Sequence, residues 1–212
     1  VLHYAQEIFE GLKAYRLDDG SMALFRVEAN AARFNASARR MAMAELPEDL
    51  FIAAVKEAVA ADAHWFPPVD GGALYLRPFM FASEVFLGVK PAAEYQFLVI
   101  TSPVGNYFRS GAPAISLWVS EDYTRAAPGG TGAAKCGGNY AGSMVASLEA
   151  QKKGFHNVLW LDGMEHKYVE EAGLMNVVFV INGTVVTPPL GGTILPGITR
   201  DSVLTLLRDM KV

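Results

Sequence analysis

A single lysine, Lys135, lies in a segment of small residues, 129–143, that contains six glycines. Small neighbours allow a planar ligand to approach the backbone closely. A lysine amine that is partly removed from water can form a Schiff base with an aldehyde cofactor. From this segment alone, a nucleophilic lysine and an incidental lysine in a solvent-facing loop are equally good interpretations.

A tyrosine and an arginine stand two residues apart in the stretch 73–82, whose apolar and aromatic composition is typical of a strand. Because side chains alternate between the faces of a strand, Tyr75 and Arg77 should point to the same side. From the residues alone, a functional role of this pair is one interpretation. The alternative is a buried arginine that is paired within the protein.

Three other charged residues lie in or beside predicted elements. Arg33 occurs in the first half of a predicted helix, 28–43, where most arginines are solvated. Glu170 and Glu171 precede a predicted strand, where carboxylates are generally exposed. From the residues alone, none of the three is distinguished from a surface charge.

Periodic apolar residues and turn signals predict the elements that position these side chains. Helices are expected over 28–43, after Pro47, over 140–153 with Tyr140, Met144 and Leu148 along one face, and from about 198 through Leu207. Strands are expected over 22–25, 73–82, 96–101, 115–119, 157–161, 177–181 and 185–186. Pro78 should lie at a sheet edge or a bend, because proline cannot donate a backbone hydrogen bond.

The composition is that of a globular enzyme of one or two domains: 212 residues, 51% hydrophobic and 19% charged. A net charge of -4 and scattered basic residues argue against a nucleic-acid partner. The single cysteine, Cys136, excludes an internal disulfide and a cysteine-rich metal site, and we expect it to be a small buried apolar side chain. No metal is expected.

The same features indicate where the protein works and how complete the chain is. No apolar run reaches the roughly 20 residues that a membrane-spanning helix needs, and no basic and apolar leader opens the chain. The expected location is therefore the cytoplasm, without a membrane partner. The chain begins at Val1 without methionine, which suggests an internal portion of a longer protein.

Six motifs, in the same order along nearly the whole chain, resemble those of branched-chain amino-acid aminotransferases, which are pyridoxal 5'-phosphate enzymes of fold type IV. They are Phe9-Glu-Gly-Leu-Lys-Ala-Tyr15, Asn30-Ala-Ala-Arg33, Leu74-Tyr-Leu-Arg-Pro78, Gly132-Ala-Ala-Lys-Cys-Gly-Gly-Asn-Tyr-Ala-Gly-Ser143, Glu171-Ala-Gly-Leu-Met-Asn176 and Pro196-Gly-Ile-Thr199.

The resemblance implies an α/β fold of the α+β type with two domains. A small N-terminal α/β domain would occupy 1–105 and an interdomain loop 106–112. A larger domain carrying the cofactor lysine, with a mostly antiparallel, barrel-like sheet, would occupy 113–212. Both domains would lack their outer ends.

The resemblance also assigns cofactor contacts to particular residues. Lys135 would be the catalytic residue and form the aldimine with pyridoxal phosphate, and Glu171 rather than Glu170 would bind the pyridine nitrogen. Tyr140 would donate to the phenolic oxygen of the cofactor. The phosphate would be bound by Arg33, Arg125 and the amides of Ile198 and Thr199.

The implied reaction is transamination of leucine, isoleucine and valine with 2-oxoglutarate, which gives branched 2-oxo acids and glutamate. The substrate contacts would come from Tyr4, Phe9, Tyr75, Arg77, Leu87, Val89 and Tyr107, with Leu87 and Val89 reaching across the interface of a homodimer. The alternatives are a D-amino-acid aminotransferase or aminodeoxychorismate lyase of the same fold, and an inactive fragment that binds the cofactor. The run Phe9-Glu-Gly-Leu-Lys13 disfavours the first two.

Overall fold

The computed structural model describes residues 2–68, 71–105 and 114–211. The chain divides into two compact units. Unit 1 comprises Val1–Ala112 with Lys135–Gly137, and unit 2 comprises Pro113–Ala134 with Gly138–Val212. The interdomain loop predicted over 106–112 lies outside the described residues.

Unit 1 is built on an antiparallel sheet whose central strand is β4. Its strands are β1 (Glu7–Phe9), β2 (Leu12–Arg16), β3 (Met22–Leu24), β4 (Ala73–Ala82) and β5 (Tyr95–Val104). Strand β5 pairs with the full length of β4 on one side, and β1 and β2 share its other side. The alternation predicted for 73–82 is confirmed, since every second residue of β4 is buried from Leu74 onwards.

Pro78 lies in the middle of β4, so the prediction of an edge or bend is wrong. On one side of β4, strand β1 pairs with residues 79–81 and strand β2 with residues 74–76, and Pro78 falls in the interval. Its carbonyl accepts a hydrogen bond from the Glu10 amide there, at 2.7 Å. An N–H group at position 78 would point into this same gap between β1 and β2. The lack of an N–H on proline therefore removes no hydrogen bond between strands.

Two helices cover one face of this sheet. Helix α1 spans Val27–Arg40 and helix α2 spans Glu48–Ala61, with Pro47 as the N-cap of α2. The rings of Phe34 and Phe51 are fully buried, and their centroids lie 5.2 Å apart. Phe97 of β5 completes the cluster at 5.7 Å from Phe34 and 5.9 Å from Phe51. This aromatic cluster joins the helices to the sheet.

Unit 2 contains a four-stranded sheet, a hairpin and two helices. The sheet runs in the order β6 (Leu117–Ser120), β7 (Asn157–Leu161), β8 (Val169–Ala172), β9 (Met175–Asn176), and the hairpin is β10 (Phe179–Ile181) with β11 (Thr184–Val186). Strands β6 and β7 are parallel and the other pairs are antiparallel. The helices are α3 (Gly137–Lys152) and α4 (Ile198–Asp209). The predicted α/β class is confirmed.

Helix α3 buries small residues, whereas two members of the predicted face of Tyr140, Met144 and Leu148 are exposed. Ala146 and Ala150 are fully buried against Val158 and Trp160. Met144 and Leu148, by contrast, are more than half exposed. A small side chain allows the helix axis to approach the sheet closely, so the alanine stripe forms the packing face. Among the described residues, no helix is long and apolar enough to cross a membrane.

Asp162 organises the turn that follows β7. Its carboxylate accepts backbone hydrogen bonds from Met164 (3.1 Å), Glu165 (2.7 Å), Lys167 (2.9 Å) and Tyr168 (2.8 Å). These amides, that of Tyr168 above all, lower the pKa of the Asp162 carboxyl below its ordinary value. The turn therefore depends on the ionised carboxylate.

We expect Asp162→Asn to lower the free energy of unfolding at pH 7. The neutral side-chain amide of asparagine would accept the four backbone hydrogen bonds less well than the negatively charged carboxylate does. The folded-state pKa is lowered, so the carboxylate stabilises the fold above its unfolded value of about 3.9 and loses this effect as the pH falls below it. Urea unfolding at pH 7 and at about pH 3.5 should show a smaller difference at the lower pH. Asp18→Asn, in an exposed turn, is the control. Equal stability of wild type and variant at pH 7 would contradict the assignment.

The aromatic cluster of unit 1 leads to a second prediction about stability. Phe34→Ala should reduce the free energy of unfolding by about 3–5 kcal/mol, because it opens a cavity between the helices and β5. Phe25→Ala is the matched control, since Phe25 is 56% exposed, and should cost less than about 1 kcal/mol. Chemical denaturation of both variants measures the difference. Similar losses at the two positions would show that the cluster does not determine the stability of unit 1.

Candidate active site

Lys135 is fixed to two elements of unit 1. Its backbone amide donates to the Ser37 hydroxyl on α1 at 2.9 Å, and its carbonyl accepts from the Phe9 amide of β1 at 3.0 Å. The Nζ atom lies 4.6 Å from the centroid of the Phe9 ring. The neighbouring Cys136 is almost fully buried, as expected. The interpretation of Lys135 as an incidental lysine in a solvent-facing loop is therefore not supported.

The glycine after Cys136 lies close to a side chain of β1. A Cβ atom built on Gly137 would lie 1.7 Å from Oε1 of Glu7, so a larger residue would force the Glu7 carboxylate to move. Gly11 has a similar role beside Tyr75, whose hydroxyl would lie 2.3 Å from an added Cβ. At these two positions of the sequence motifs, the absence of a glycine side chain allows another side chain to lie against the backbone.

Three of the predicted substrate residues, Phe9, Tyr75 and Arg77, lie together, and Phe9 also contacts Lys135. The guanidinium carbon of Arg77 is 4.5 Å from the centroid of the Phe9 ring, and its Nη2 donates to the Tyr75 hydroxyl at 2.7 Å. Tyr75 and Arg77 do face the same side of β4, as predicted. The Arg77 Nε atom is buried and has no hydrogen-bond partner among the described residues. This donor is available to an anionic group of a ligand.

Arg33 contacts a buried glutamate that the sequence analysis did not identify as its partner. Nε and Nη2 of Arg33 donate to the two carboxylate oxygens of Glu10 at 2.8 and 2.7 Å, and Asn30 donates to the same carboxylate at 2.8 Å. The Glu10 side chain is fully buried. This bidentate contact fixes the plane of the guanidinium. A phosphate contact of Arg33 stays a prediction.

Three further predicted substrate residues, Tyr4, Leu87 and Val89, lie at the surface of unit 1. The Tyr4 hydroxyl donates to the Leu87 carbonyl at 2.9 Å, and so connects the N-terminal segment to the loop after β4. The side chains of Leu87 and Val89 are 82% and 85% exposed. Tyr107 lies outside the described residues.

Glu171 occupies the centre of a polar cluster in unit 2. Its Oε2 lies 3.0 Å from Nε of Arg125, and its Oε1 accepts from the Asn176 side chain at 3.2 Å and the Leu195 amide at 3.1 Å. Both Glu171 and its neighbour Glu170 are buried, unlike most carboxylates that precede a strand. Glu171 is therefore held by one arginine and two hydrogen-bond donors.

A pocket in unit 2 brings this carboxylate together with Tyr140. Its lining is formed by Arg125, Ala134, Asn139, Tyr140, Ser143, Glu171, Gly173, Leu174 and Leu195. Leu195 and Leu174 supply apolar surface beside the polar groups. Arg125, Tyr140 and Glu171 are site residues predicted from the sequence, whereas Leu195, which immediately precedes the Pro196-Gly motif, is not. The pocket thus combines a carboxylate and a phenol with apolar surface.

Ile198 and Thr199 are the first two residues of α4, after the N-cap Gly197. Their backbone amides therefore lie at the positive end of the helix, where anions bind favourably. Arg125 does not reach these residues by any contact described here and instead contacts Glu171 and the carbonyls of Gly132 and Thr193. A phosphate contact of any of the three stays a prediction. The described residues contain no cluster of His, Cys, Asp or Glu that could hold a metal ion.

The sequence is similar to curated proteins over almost its entire length. It is 55% identical to the branched-chain-amino-acid aminotransferase of Mycobacterium tuberculosis, over 99% of this chain and 58% of that protein. It is 59% identical to a probable branched-chain-amino-acid aminotransferase of Streptomyces coelicolor, again over 99% of this chain and 58% of that protein. The chain thus spans 58% of the length of these relatives. The resemblance seen in the sequence motifs is confirmed.

The fold is also similar to a solved structure, that of the T.th. branched-chain amino acid aminotransferase with pyridoxamine 5'-phosphate. The TM-score is 0.81 at 29% identity, covering 99% of this chain and 67% of that chain. The profile of the family described as amino-transferase class IV matches residues 7–212. The chain therefore belongs to the amino-transferase class IV family.

Proposed function

We propose that this protein transfers the amino group of branched-chain L-amino acids to 2-oxoglutarate, with pyridoxal 5'-phosphate as cofactor. The observation that carries the proposal is the position of Lys135, which is tied to α1 and β1 with its amine against the Phe9 ring. The relatives that match 99% of the chain are branched-chain aminotransferases, and one structural neighbour contains pyridoxamine 5'-phosphate.

The donor set of the chain fits this cofactor. The carboxyl group of Glu171, which lies against Arg125, would suit a protonated pyridine nitrogen. Tyr140 lines the same pocket and can donate to a phenolic oxygen, while Leu195 offers apolar surface to a ring. The amides of Ile198 and Thr199 and the guanidinium of Arg33 would hold the phosphate. When bound, the cofactor supplies an aldehyde carbon that reacts with amines and a ring that accepts an electron pair.

The side chains of the protein would perform the other steps of the reaction. The Nζ atom of Lys135 would hold the cofactor in the resting enzyme and, once displaced by a substrate amine, move the proton from the substrate Cα as general base. The carboxylate of Glu171 would keep the proton on the ring nitrogen. Arg77 and Tyr75 would orient the substrate carboxylate, through the buried Nε of Arg77.

The proposed selectivity for branched side chains follows from the groups predicted around the substrate. Phe9, Tyr4 and Leu87 supply aromatic and aliphatic surface and carry no side-chain charge that could pair with an acidic or basic substrate. A D-amino-acid aminotransferase or a lyase of the same fold is disfavoured by the Phe9-Glu-Gly-Leu-Lys13 motif. An inactive cofactor-binding protein is the alternative that the measurement of glutamate formation distinguishes.

Lys135→Ala tests the proposed catalytic residue in the full-length protein. After incubation with pyridoxal phosphate and borohydride reduction, mass spectrometry should find the cofactor on the peptide containing Lys135 in wild type but not in the variant. Formation of glutamate from L-leucine and 2-oxoglutarate should fall by at least about 10²-fold, because the general base is lost.

Lys152→Ala, on the exposed end of α3, is the matched control and should keep both properties. Undiminished glutamate formation by Lys135→Ala would overturn the assignment of the nucleophile. A wild-type protein that carries the cofactor but reacts with D-alanine rather than L-leucine would overturn the substrate class and leave the cofactor assignment in place.

We also propose that the protein acts as a homodimer in the cytoplasm. In the loop after β4, Phe86 packs on Ala82 and Ala92, while Val85, Leu87 and Val89 are 98%, 82% and 85% exposed. Burying such side chains against a second copy would stabilise the complex by roughly 1.5–3 kcal/mol each. A chain with the single cysteine Cys136 forms no internal disulfide, which suits a reducing compartment.

Replacing Leu87 and Val89 together by serine should weaken the dimer, because the apolar surface that a second copy would cover is removed. Sedimentation velocity of the full-length protein across a range of concentrations measures the monomer fraction. Leu50→Ser is the control, an exposed leucine on α2 far along the chain from this loop. A monomeric wild type, or equal dimer fractions in wild type and double variant, would contradict the proposal.

A further inference from the structure

A chain of contacts in unit 2 connects the two neighbouring glutamates of β8. It runs from Glu170 to Thr193, from Thr193 to Arg125 and from Arg125 to Glu171. The proposed function uses Glu171 and leaves the buried Glu170 without a role. The inference drawn from this chain of contacts rests on the proposed function, because it concerns the charge that Glu171 presents to the cofactor.

Thr193 uses two different groups in these contacts. Its hydroxyl donates to Oε1 of Glu170 at 2.5 Å, and its backbone carbonyl accepts a hydrogen bond from Nη2 of Arg125. The residue is almost fully buried. Because hydroxyl and carbonyl belong to the same residue, the bond to Glu170 restricts where the carbonyl can lie.

Arg125 is in turn held from both ends of its guanidinium. Nη2 reaches the carbonyls of Thr193 and, at 3.3 Å, of Gly132, while Nε lies 3.0 Å from Oε2 of Glu171. The arginine and glutamate side chains are only 8% and 4% exposed. In such a poorly solvated place, a small displacement of the guanidinium changes its electrostatic effect on the carboxylate strongly.

Glu170 has few alternatives to Thr193. Its Oε2 atom is buried without a hydrogen-bond partner among the described residues, so the Thr193 hydroxyl is the donor that this carboxyl group depends on. A buried polar group with a single partner is costly to disturb. The contact between Glu170 and Thr193 should therefore be maintained. Since the Thr193 carbonyl accepts from Arg125, this contact should also keep Arg125 in its position.

We propose that Glu170 and Thr193 are positioning residues, which hold Arg125 against Glu171 and so set the charge that Glu171 presents to the ring nitrogen of the bound cofactor. Neither residue touches the reacting atoms. Both act through the guanidinium of Arg125.

Thr193→Val and Thr193→Ser in the full-length enzyme test the proposal, because valine keeps the shape of threonine without the hydroxyl and serine keeps the hydroxyl. The visible absorption of the bound cofactor is titrated with pH, and the free energy of unfolding is measured without cofactor. In Thr193→Val we expect the midpoint of the spectral titration to move by at least about 0.5 pH unit. The kcat value should fall about tenfold, the effect of roughly one hydrogen bond to a charged group. Thr193→Ser should resemble wild type in both.

Glu170→Ala should reproduce the spectral shift of Thr193→Val, and Glu170→Gln, which keeps an acceptor oxygen, should restore the wild-type midpoint. A spectral midpoint and kcat that stay at the wild-type values in both Thr193→Val and Glu170→Ala would overturn the inference, even if both variants unfold more easily. Failure of the proposed function is distinguishable, since the wild type itself would then neither bind pyridoxal phosphate nor form glutamate from L-leucine.

Discussion

A buried carboxylate must be compensated by donors or by a positive charge, and this constraint shapes both units of the protein. In unit 1, Arg33 compensates Glu10 with two parallel hydrogen bonds, and Asn30 adds a third. In unit 2, Arg125 lies against Glu171. Removing one member of such a pair leaves an unpaired charge in a poorly solvated place. Each pair therefore fixes two distant segments of its own unit with respect to each other.

Sequence periodicity predicted the elements well wherever local residues decide them. Strands β4 and β7 begin and end where the sequence indicated, because their alternating apolar residues are bounded by glycines and turns. Asn182 and Gly183, both at positive φ, form the predicted turn between β10 and β11. Strand β5, by contrast, continues to Val104, beyond the predicted end at 101. Pro103 is tolerated there because β5 pairs with β4 alone among the described strands.

The packing face of α3 and the position of Pro78 could not be predicted from local sequence. Hydropathy favours Met144 and Leu148 as the buried face, whereas close approach to Trp160 favours Ala146 and Ala150. Only the neighbouring strand decides between them, since the depth of packing depends on what lies opposite. Likewise, Pro78 is compatible with a central strand only because β1 and β2 are interrupted next to it.

The sequence by itself determined the family, the order of the motifs and the residue types that could do chemistry, Lys135 and Glu171 among them. Tertiary structure decided which side chains each of them meets. Phe9 and Ser37 lie 126 and 98 residues before Lys135 along the chain, and Arg125 lies 46 residues before Glu171. Such contacts depend on strand register and helix packing, which local periodicity does not encode. The partners of the arginines, and hence the buried charge pairs, therefore appear only in the folded chain.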